Sequence, residues 1–454
     1  MAGKYEIDML DGPLFSKIIK YTFPLMAAGI LQLLFNTADM IVVGRYAGSN
    51  ALGAVGATSS LINLLINVFM GLSVGASVAI AHYYGAGRYN ELSVAIHTAI
   101  ALSLVCGAVL LLLGQVISSP MLKLMGTPED ILPLSVSYMK VYFLGMPVML
   151  LYNFGAAILR AVGDTRRPLY YLMTAGVINI ILNLIFVIGF NLSVKGVAWA
   201  TIISQAVSAG LIVRCLIKNS GPCRLEIKKL CLDKAMAGRI ARVGLPAGFQ
   251  GAVFSISNVL IQSSVNSFGA VAVAGNTAQC NLEGFVYNSM NSFHQTALSF
   301  TGQNTGAKKM GRVQKVFWMC GICVTVTGLV MGLTGLFFGR QLLSIYTGDT
   351  AVIDFGLRRM AIIFPTYFLC GLMEVAVGVL RGMGFSIMPM TVSLLGACGF
   401  RILWIMTAFS ADHTPEMLYY SYPLSWLITA VVHIICLFTL ARKKYIFLKA
   451  ERSG

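Results

Sequence analysis

The sequence predicts an all-α membrane protein with twelve transmembrane helices in two pseudo-symmetric six-helix lobes. Three observations carry this. Leu159-Arg160-Ala161-Val162-Gly163 returns 221 positions later as Leu380-Arg381-Gly382-Met383-Gly384, and the same shift carries Pro168 onto Pro389, so the chain is a duplicated unit. Of 454 residues, 57% are hydrophobic and 11% charged, where a soluble domain is about a quarter charged. A mean hydropathy of +0.79 fits a chain whose solvent is largely lipid. Finally, Lys and Arg concentrate in alternate loops, the positive-inside pattern of a multi-pass protein.

From the start, Met1 to Lys20 carries Glu6, Asp8, Asp11, Lys17 and Lys20 but no apolar stretch with a cleavage site. No cleaved signal peptide is expected, and the first span serves as the insertion signal. A span needs roughly 20 apolar residues to cross about 30 Å of hydrocarbon. Such runs lie near 16–43, 51–80, 93–118, 134–160, 168–190, 196–217, 240–266, 271–301, 315–338, 354–380, 387–409 and 418–440. Residues 1–217 form the N-terminal lobe, 218–239 a cytoplasmic linker and 240–454 the C-terminal lobe. Six spans per half is an even number, so both halves enter the membrane in one sense, with the symmetry axis along the membrane normal.

The net charge of +16 invites a nucleic-acid reading, which its location excludes. The basic residues cluster at Lys4/Lys17/Lys20, Arg160/Arg166/Arg167, the 214–242 link, Lys308/Lys309/Arg312/Lys315 and Arg442/Lys443/Lys444/Lys449/Arg452. Those regions, both termini included, are expected in the cytoplasm against anionic headgroups. Gly71, Gly75, Ala76 and Ala79 give the second span a small-residue face for close helix packing. Pro24, Pro147, Pro246, Pro365 and Pro423 mark bends, with Pro24 and Pro246 at matching places in the halves. The ten cysteines are scattered; Cys320 and Cys323 have redox spacing but sit mid-span without a partner pair, as packing residues.

Only three of seventeen acidic residues fall deep within spans: Asp39, Glu283 and Glu374. A carboxylate at the bilayer centre costs roughly 2.5–3.5 kcal/mol on insertion scales, so it must face an interior, water or a partner. In the first half, Asn36 sits one turn before Asp39, Asn179 and Asn183 share a face of the fifth span, Asn153 lies in the fourth and Thr201 in the sixth. This all-oxygen set suits a proton site or, with Asp39, Asn179 and Asn183 as ligands, a Na⁺ site. No His or Cys cluster has transition-metal spacing. In the second half, Arg401 reads as the one basic residue well inside the bilayer, expected to pair with Glu374 or Glu283. Asn258, Gln262, Asn276, Gln279, Asn288, Asn291 and His294 add polar groups, and Phe254, Phe285, Tyr287 and Phe293 an apolar wall.

Three segments together resemble the multidrug and toxic compound extrusion (MATE) family, prokaryotic type. Pro24 to Gly53, with Phe35-Asn36-Thr37-Ala38-Asp39 and Gly44-Arg45, resembles its first helix. Leu159 to Pro168 resembles its fourth-to-fifth helix loop, and Gly302-Gln303-Asn304-Thr305-Gly306-Ala307 the end of its eighth helix. The resemblance covers all twelve spans. It implies a V-shaped pair of lobes that exports organic, often cationic and aromatic, compounds in exchange for H⁺ or Na⁺. Carried across, the cation-coupling set is Asp39, Asn36, Asn153, Asn179, Asn183 and Thr201; Glu283, Tyr287, Glu374 and Arg401 are the expected substrate contacts. Relatives often hold a second Asp where Asn183 stands, and some hold a carboxylate in the seventh span, which this chain lacks.

The expected function is therefore a secondary antiporter working by alternating access. It would act as a monomer in the cytoplasmic (inner) membrane, on small organic substrates and among lipids, with no cofactor beyond the coupling ion. A lipid-linked oligosaccharide flippase of a sister family would want a strongly cationic cavity. An intramembrane enzyme would want a nucleophile–base constellation, and His82, His97, His294, His413 and His433 are dispersed.

Overall fold

A computed structural model describes residues 5–453, excepting the side chains of Ser49, Leu52, Ser60 and 443–453. Of the basic clusters, Lys4 and the side chains of Lys443, Lys444, Lys449 and Arg452 thus lie outside the described residues.

The described residues form helices joined by loops, without a strand. The first half runs α1 (Leu14–Val42), a π-helical turn Val43–Ala47, α2 (Ser49–Gly85), α3 (Tyr89–Leu124), α4 (Leu132–Leu144), α5 (Met146–Ala161), α6 (Arg166–Asn183), a second π-helical segment Leu184–Gly189, and α7 (Ser193–Ile217). The second runs α8 (Lys234–Asn266), α9 (Ala270–Gly306), α10 (Met310–Phe337), α11 (Gly339–Ser344), α12 (Thr350–Ile363), α13 (Tyr367–Gly382), α14 (Ile387–Ser393), α15 (Phe400–Trp404) and α16 (Pro415–Ser453), with π-helical segments before and after α15.

Ten of these helical stretches are long and apolar enough to cross a membrane, and α4 with α5, bent by 49° between Leu144 and Met146, makes an eleventh. Pro147, the second residue of α5, denies the α4–α5 junction one backbone hydrogen bond, which explains the bend. The twelfth is α9. It is 37 residues long and carries more polar side chains than the other spans, with Asn276, Gln279, His294, Gln303 and Asn304 buried. The expected count of twelve therefore holds, with the polar helix at the centre of its unit.

The duplication is visible in the backbone. Shifted by 221, α2 falls on α9, the start of α3 on that of α10, α5 on α13, and the start of α6 on that of α14. Left-handed backbone recurs in three pairs at the same spacing: Gly48 and Gly269, Gly163 and Gly384, and Gly87 and Lys308.

Two compact units emerge: Met1–Asp8 with Ile30–Ala252, and Met9–Gly29 with Val253–Gly454. Each half's first helix is thus divided. The early turns of α8 pack in the first unit, where a Cβ on Gly75 would sit 2.8 Å from the backbone nitrogen of Gly244 and one on Gly244 2.6 Å from Leu72 Cα. The small residues of α2 therefore permit backbone-on-backbone contact, as their spacing suggests. The early turns of α1 pack in the second unit: Tyr21 Oη donates to Ser299 Oγ at 2.8 Å, and the Thr22 and Thr296 hydroxyls meet at 2.8 Å.

Candidate cation and substrate sites

In the first unit, α1 and α6 meet closely because Gly176 leaves room for the Phe35 ring. One turn further along α1, Asp39 faces the last residue of α6. Asn183 Nδ2 donates to Asp39 Oδ1 and to Asn179 Oδ1 at 3.2 Å. Asn179 Nδ2 donates onward to Thr201 Oγ1 at 3.5 Å, and Thr201 donates to the Val197 carbonyl at 3.0 Å. Asn183 is 1% and Asn179 6% exposed. The carboxylate is thus the end of a buried relay crossing three helices. Asn183 Oδ1 is buried with no donor, leaving an acceptor beside Asp39. The π-helical segments Val43–Ala47 and Leu184–Gly189 begin just beyond Asp39 and Asn183 and touch one another; π-turns interrupt the regular ladder and are frequent at functional sites.

The remaining candidates are not joined to this relay. Asn36 is exposed and accepts from Gln32 at 3.3 Å. Asn153 Nδ2 donates to the Met149 carbonyl, 2.8 Å away on its own helix. Two phenols that sequence reasoning missed, Tyr138 and Tyr142 of α4, lie within electrostatic range of Asp39. Nothing in an apolar run marks a tyrosine as facing a carboxylate, so no sequence signal distinguishes them. Among the described residues no three His, Cys, Asp or Glu side chains converge as metal ligands.

The second unit corrects one expectation. Arg401 pairs with neither carboxylate. Glu283 Oε2 receives Arg359 Nη2 at 2.8 Å and Glu283 Oε1 receives Tyr367 Oη at 3.3 Å. Glu374 Oε2 lies 3.1 Å from His294 Nδ1, a nitrogen also 2.8 Å from the Glu374 carbonyl. Both acids are taken by groups on the helices packed against their own, α12 and α13 for Glu283 and α9 for Glu374. Arg401, on α15, turns to α16: Nε donates to Ser425 Oγ at 3.0 Å, and the guanidinium stacks 4.2 Å from the Tyr422 centroid. Tyr287 lies along the same α9 face as Glu283 and His294. It hydrogen-bonds with Asn291 and lies within electrostatic range of Glu374.

Nor is Arg401 the one basic residue in the interior. Arg359 is 2% exposed and bonds to Gln279, Cys280 and the Asn276 carbonyl besides Glu283. A helical wheel would have found it. Val352, Gly356, Met360 and Ile363 share its buried face, whereas the adjacent Arg358 points outward to Glu416 at 3.8 Å.

The comparisons with known proteins agree with this architecture. The MatE family model matches residues 24–185 and again 246–407. A probable multidrug resistance protein of Bacillus subtilis, YoeA, is 27% identical over 405 residues, 87% of each chain. The multidrug export protein MepA of Staphylococcus aureus is 23% identical over 400 residues, 87% of this chain and 88% of that one. Among solved structures, the MATE transporter VcmN of Vibrio cholerae in its bent form superposes with a TM-score of 0.86 at 20% identity, over 95% of this chain and 98% of that one.

Proposed function

The chain belongs to the MatE family, a family of membrane transporters rather than enzymes, and on that footing we propose that it is a secondary antiporter that exports organic, amphipathic or cationic compounds in exchange for a cation. Its relatives' names as multidrug exporters support the substrate class. The family match favours this over the flippase alternative. The protein acts as a monomer in the inner membrane, with both termini cytoplasmic.

The observation that carries the coupling assignment is the relay Asp39–Asn183–Asn179–Thr201. Asn183 donates to Asp39, the arrangement of an ionised carboxylate. A protonated Asp39 carries its own donor, which the unpartnered Asn183 Oδ1 can accept once the amide turns. The amide then no longer donates to Asn179, and the contact of α1 with α6 changes. The adjoining π-helical turns are the natural place for that change. Loading a cation drives the cycle only by binding one conformation more tightly than the other. With one carboxylate and Asn at position 183, the site carries a single negative charge, which suits a proton better than Na⁺.

Purified protein in proteoliposomes with an imposed pH or Na⁺ gradient and a fluorescent cationic dye tests this. The unsubstituted protein should move dye in response to a pH gradient in Na⁺-free buffer. Asp39→Asn should lose that response, by about tenfold or more, since neutral Asn cannot exchange a proton. Unchanged dye flux under every gradient would sink the role of Asp39; flux that needs Na⁺ would reassign the ion.

A further inference from the structure

The second unit carries a groove at the end that the positive-inside pattern assigns to the cytoplasm. There α10 and α16 both pack against α13, and a cavity of about 400 Å³ lies between them, within the roughly 300–1,000 Å³ of small-ligand sites. Val379 of α13 stands behind it, and Gly311, Phe317 and Phe438 give it apolar walls. Phe317 and Phe438 meet edge to face with ring centroids 5.9 Å apart, deeper along their helices than the polar lining residues Gln314 and Arg442. The wall at Gly311 is open: a Cβ there would meet no atom within 4 Å.

The mouth of this groove is basic. Arg442 lines it, and Lys315 stands next to Gln314; all three are exposed. Neither 310–318 nor 437–442 contains an acid, and Asp11, at the start of α10, is paired with Lys309 at 2.7 Å. Further along, both helices present exposed apolar rows, Trp318, Ile322 and Val326 on α10 and Val431 and Ile435 on α16. Those are the faces a span turns to hydrocarbon. By helical spacing Gly311 and Gln314 continue the first row and Arg442 the second. The groove thus opens where the membrane-facing surface meets the basic loops.

We propose that this groove binds an anionic phospholipid, with an acyl chain against its apolar walls and the phosphate on Arg442. The inference goes beyond the antiport reading and depends only on the membrane placement of these helix ends. A guanidinium presents a planar set of donors that matches phosphate oxygens, and Lys315 adds a second cation. A zwitterionic headgroup brings its own ammonium into these basic surroundings and gains less, so a lipid of net negative charge is selected. Once bound, it bridges α10 and α16 across α13.

The test is native mass spectrometry of the full chain in neutral detergent, with equal amounts of phosphatidylglycerol and phosphatidylcholine carrying the same acyl chains. Phosphatidylglycerol should be retained about fivefold or more over phosphatidylcholine, the scale of one basic side chain at an anionic surface. Arg442→Gln should bring that ratio close to one. Gly311→Trp, which fills the groove from its open wall, should lower the adducts of both lipids. Arg214→Gln, at an exposed position of the first unit, should leave the ratio as it is. Equal adducts in the unsubstituted protein would overturn the proposal without touching the antiport reading, and need no variant to fold. An equal loss in Arg214→Gln would overturn it too, by assigning the preference to the basic surface as a whole. Unchanged adducts in Gly311→Trp would move the lipid out of the groove. Chain-free glycerophosphoglycerol competing as well as the lipid would make the ligand a free phosphate, and a dimer abolished by Gly311→Trp would make the occupant a second copy; either result overturns the assignment.

Discussion

At the scale of single residues, Asp164 shows how a loop carboxylate is fixed by its neighbours. Its Oδ1 accepts from the backbone nitrogens of Arg166 and Arg167, each at 3.1 Å, and caps α6; Oδ2 lies 3.2 Å from Arg167 Nε. Burial nevertheless holds its carboxyl above the ordinary range, the bonds from Arg167 offsetting only part of the effect. The folded state therefore keeps this proton to a higher pH than the unfolded chain does. Stability from this group is full below the unfolded value and declines as pH rises towards the folded one. Asp164→Asn should remove that decline, so thermal midpoints of the two proteins, measured from about pH 4 to about pH 7, should draw apart with rising pH to the variant's advantage. An identical pH profile would refute it. At this scale Asn179 and Asn183 were legible in the sequence, since a spacing of four on one span puts two amides on one face. The partner of Arg401 was not. Pairing depends on which helices are neighbours, and the sequence does not display that Arg359 stands nearer to Glu283.

At the scale of elements, the crossing of α2 with α8 depends on glycine. A side chain at position 75 would strike the backbone of Ile240 and Gly244, and backbone cannot step aside as a flexible side chain can. Gly75→Val should destabilise the protein by about 1–3 kcal/mol, the usual penalty of overpacking, read as a lower thermal midpoint in detergent. Gly56, on the same helix with open space about it, is the control: Gly56→Ala should be neutral or stabilising, by up to about 1 kcal/mol of helix propensity. Equal effects at the two positions would show that helix composition, not the crossing, decides stability. The repeat made most of the elements legible, α9 above all. It is the most polar of the twelve runs, and the repeat supports it because the copy of α2 must lie there. The π-helical turns were not legible, because an extra residue per turn leaves the apolar pattern of a buried helix almost unchanged.

At the scale of the whole molecule, the halves of the sequence and the compact units are different objects. Residues 9–29 belong to the first half but lie in the second unit, tied by Tyr21, Thr22 and Asp11, which pairs with Lys309 at 2.7 Å. Residues 234–252 belong to the second half but lie in the first unit. Each half thus lends the other the opening turns of its first helix. A break in the exposed stretch of the link, between Cys231 and Leu232, would leave residues 9–29 of the second unit on one polypeptide and residues 234–252 of the first on the other. Residues 1–231 and 232–454, produced together as two polypeptides, should copurify through a tag on one of them and respond to a pH gradient as the intact chain does. Produced alone, each should be degraded, having a hole where the other's helix belongs. The peptide link would then be a convenience of synthesis, and the exchanged turns of the first helices would be enough to hold the two polypeptides together.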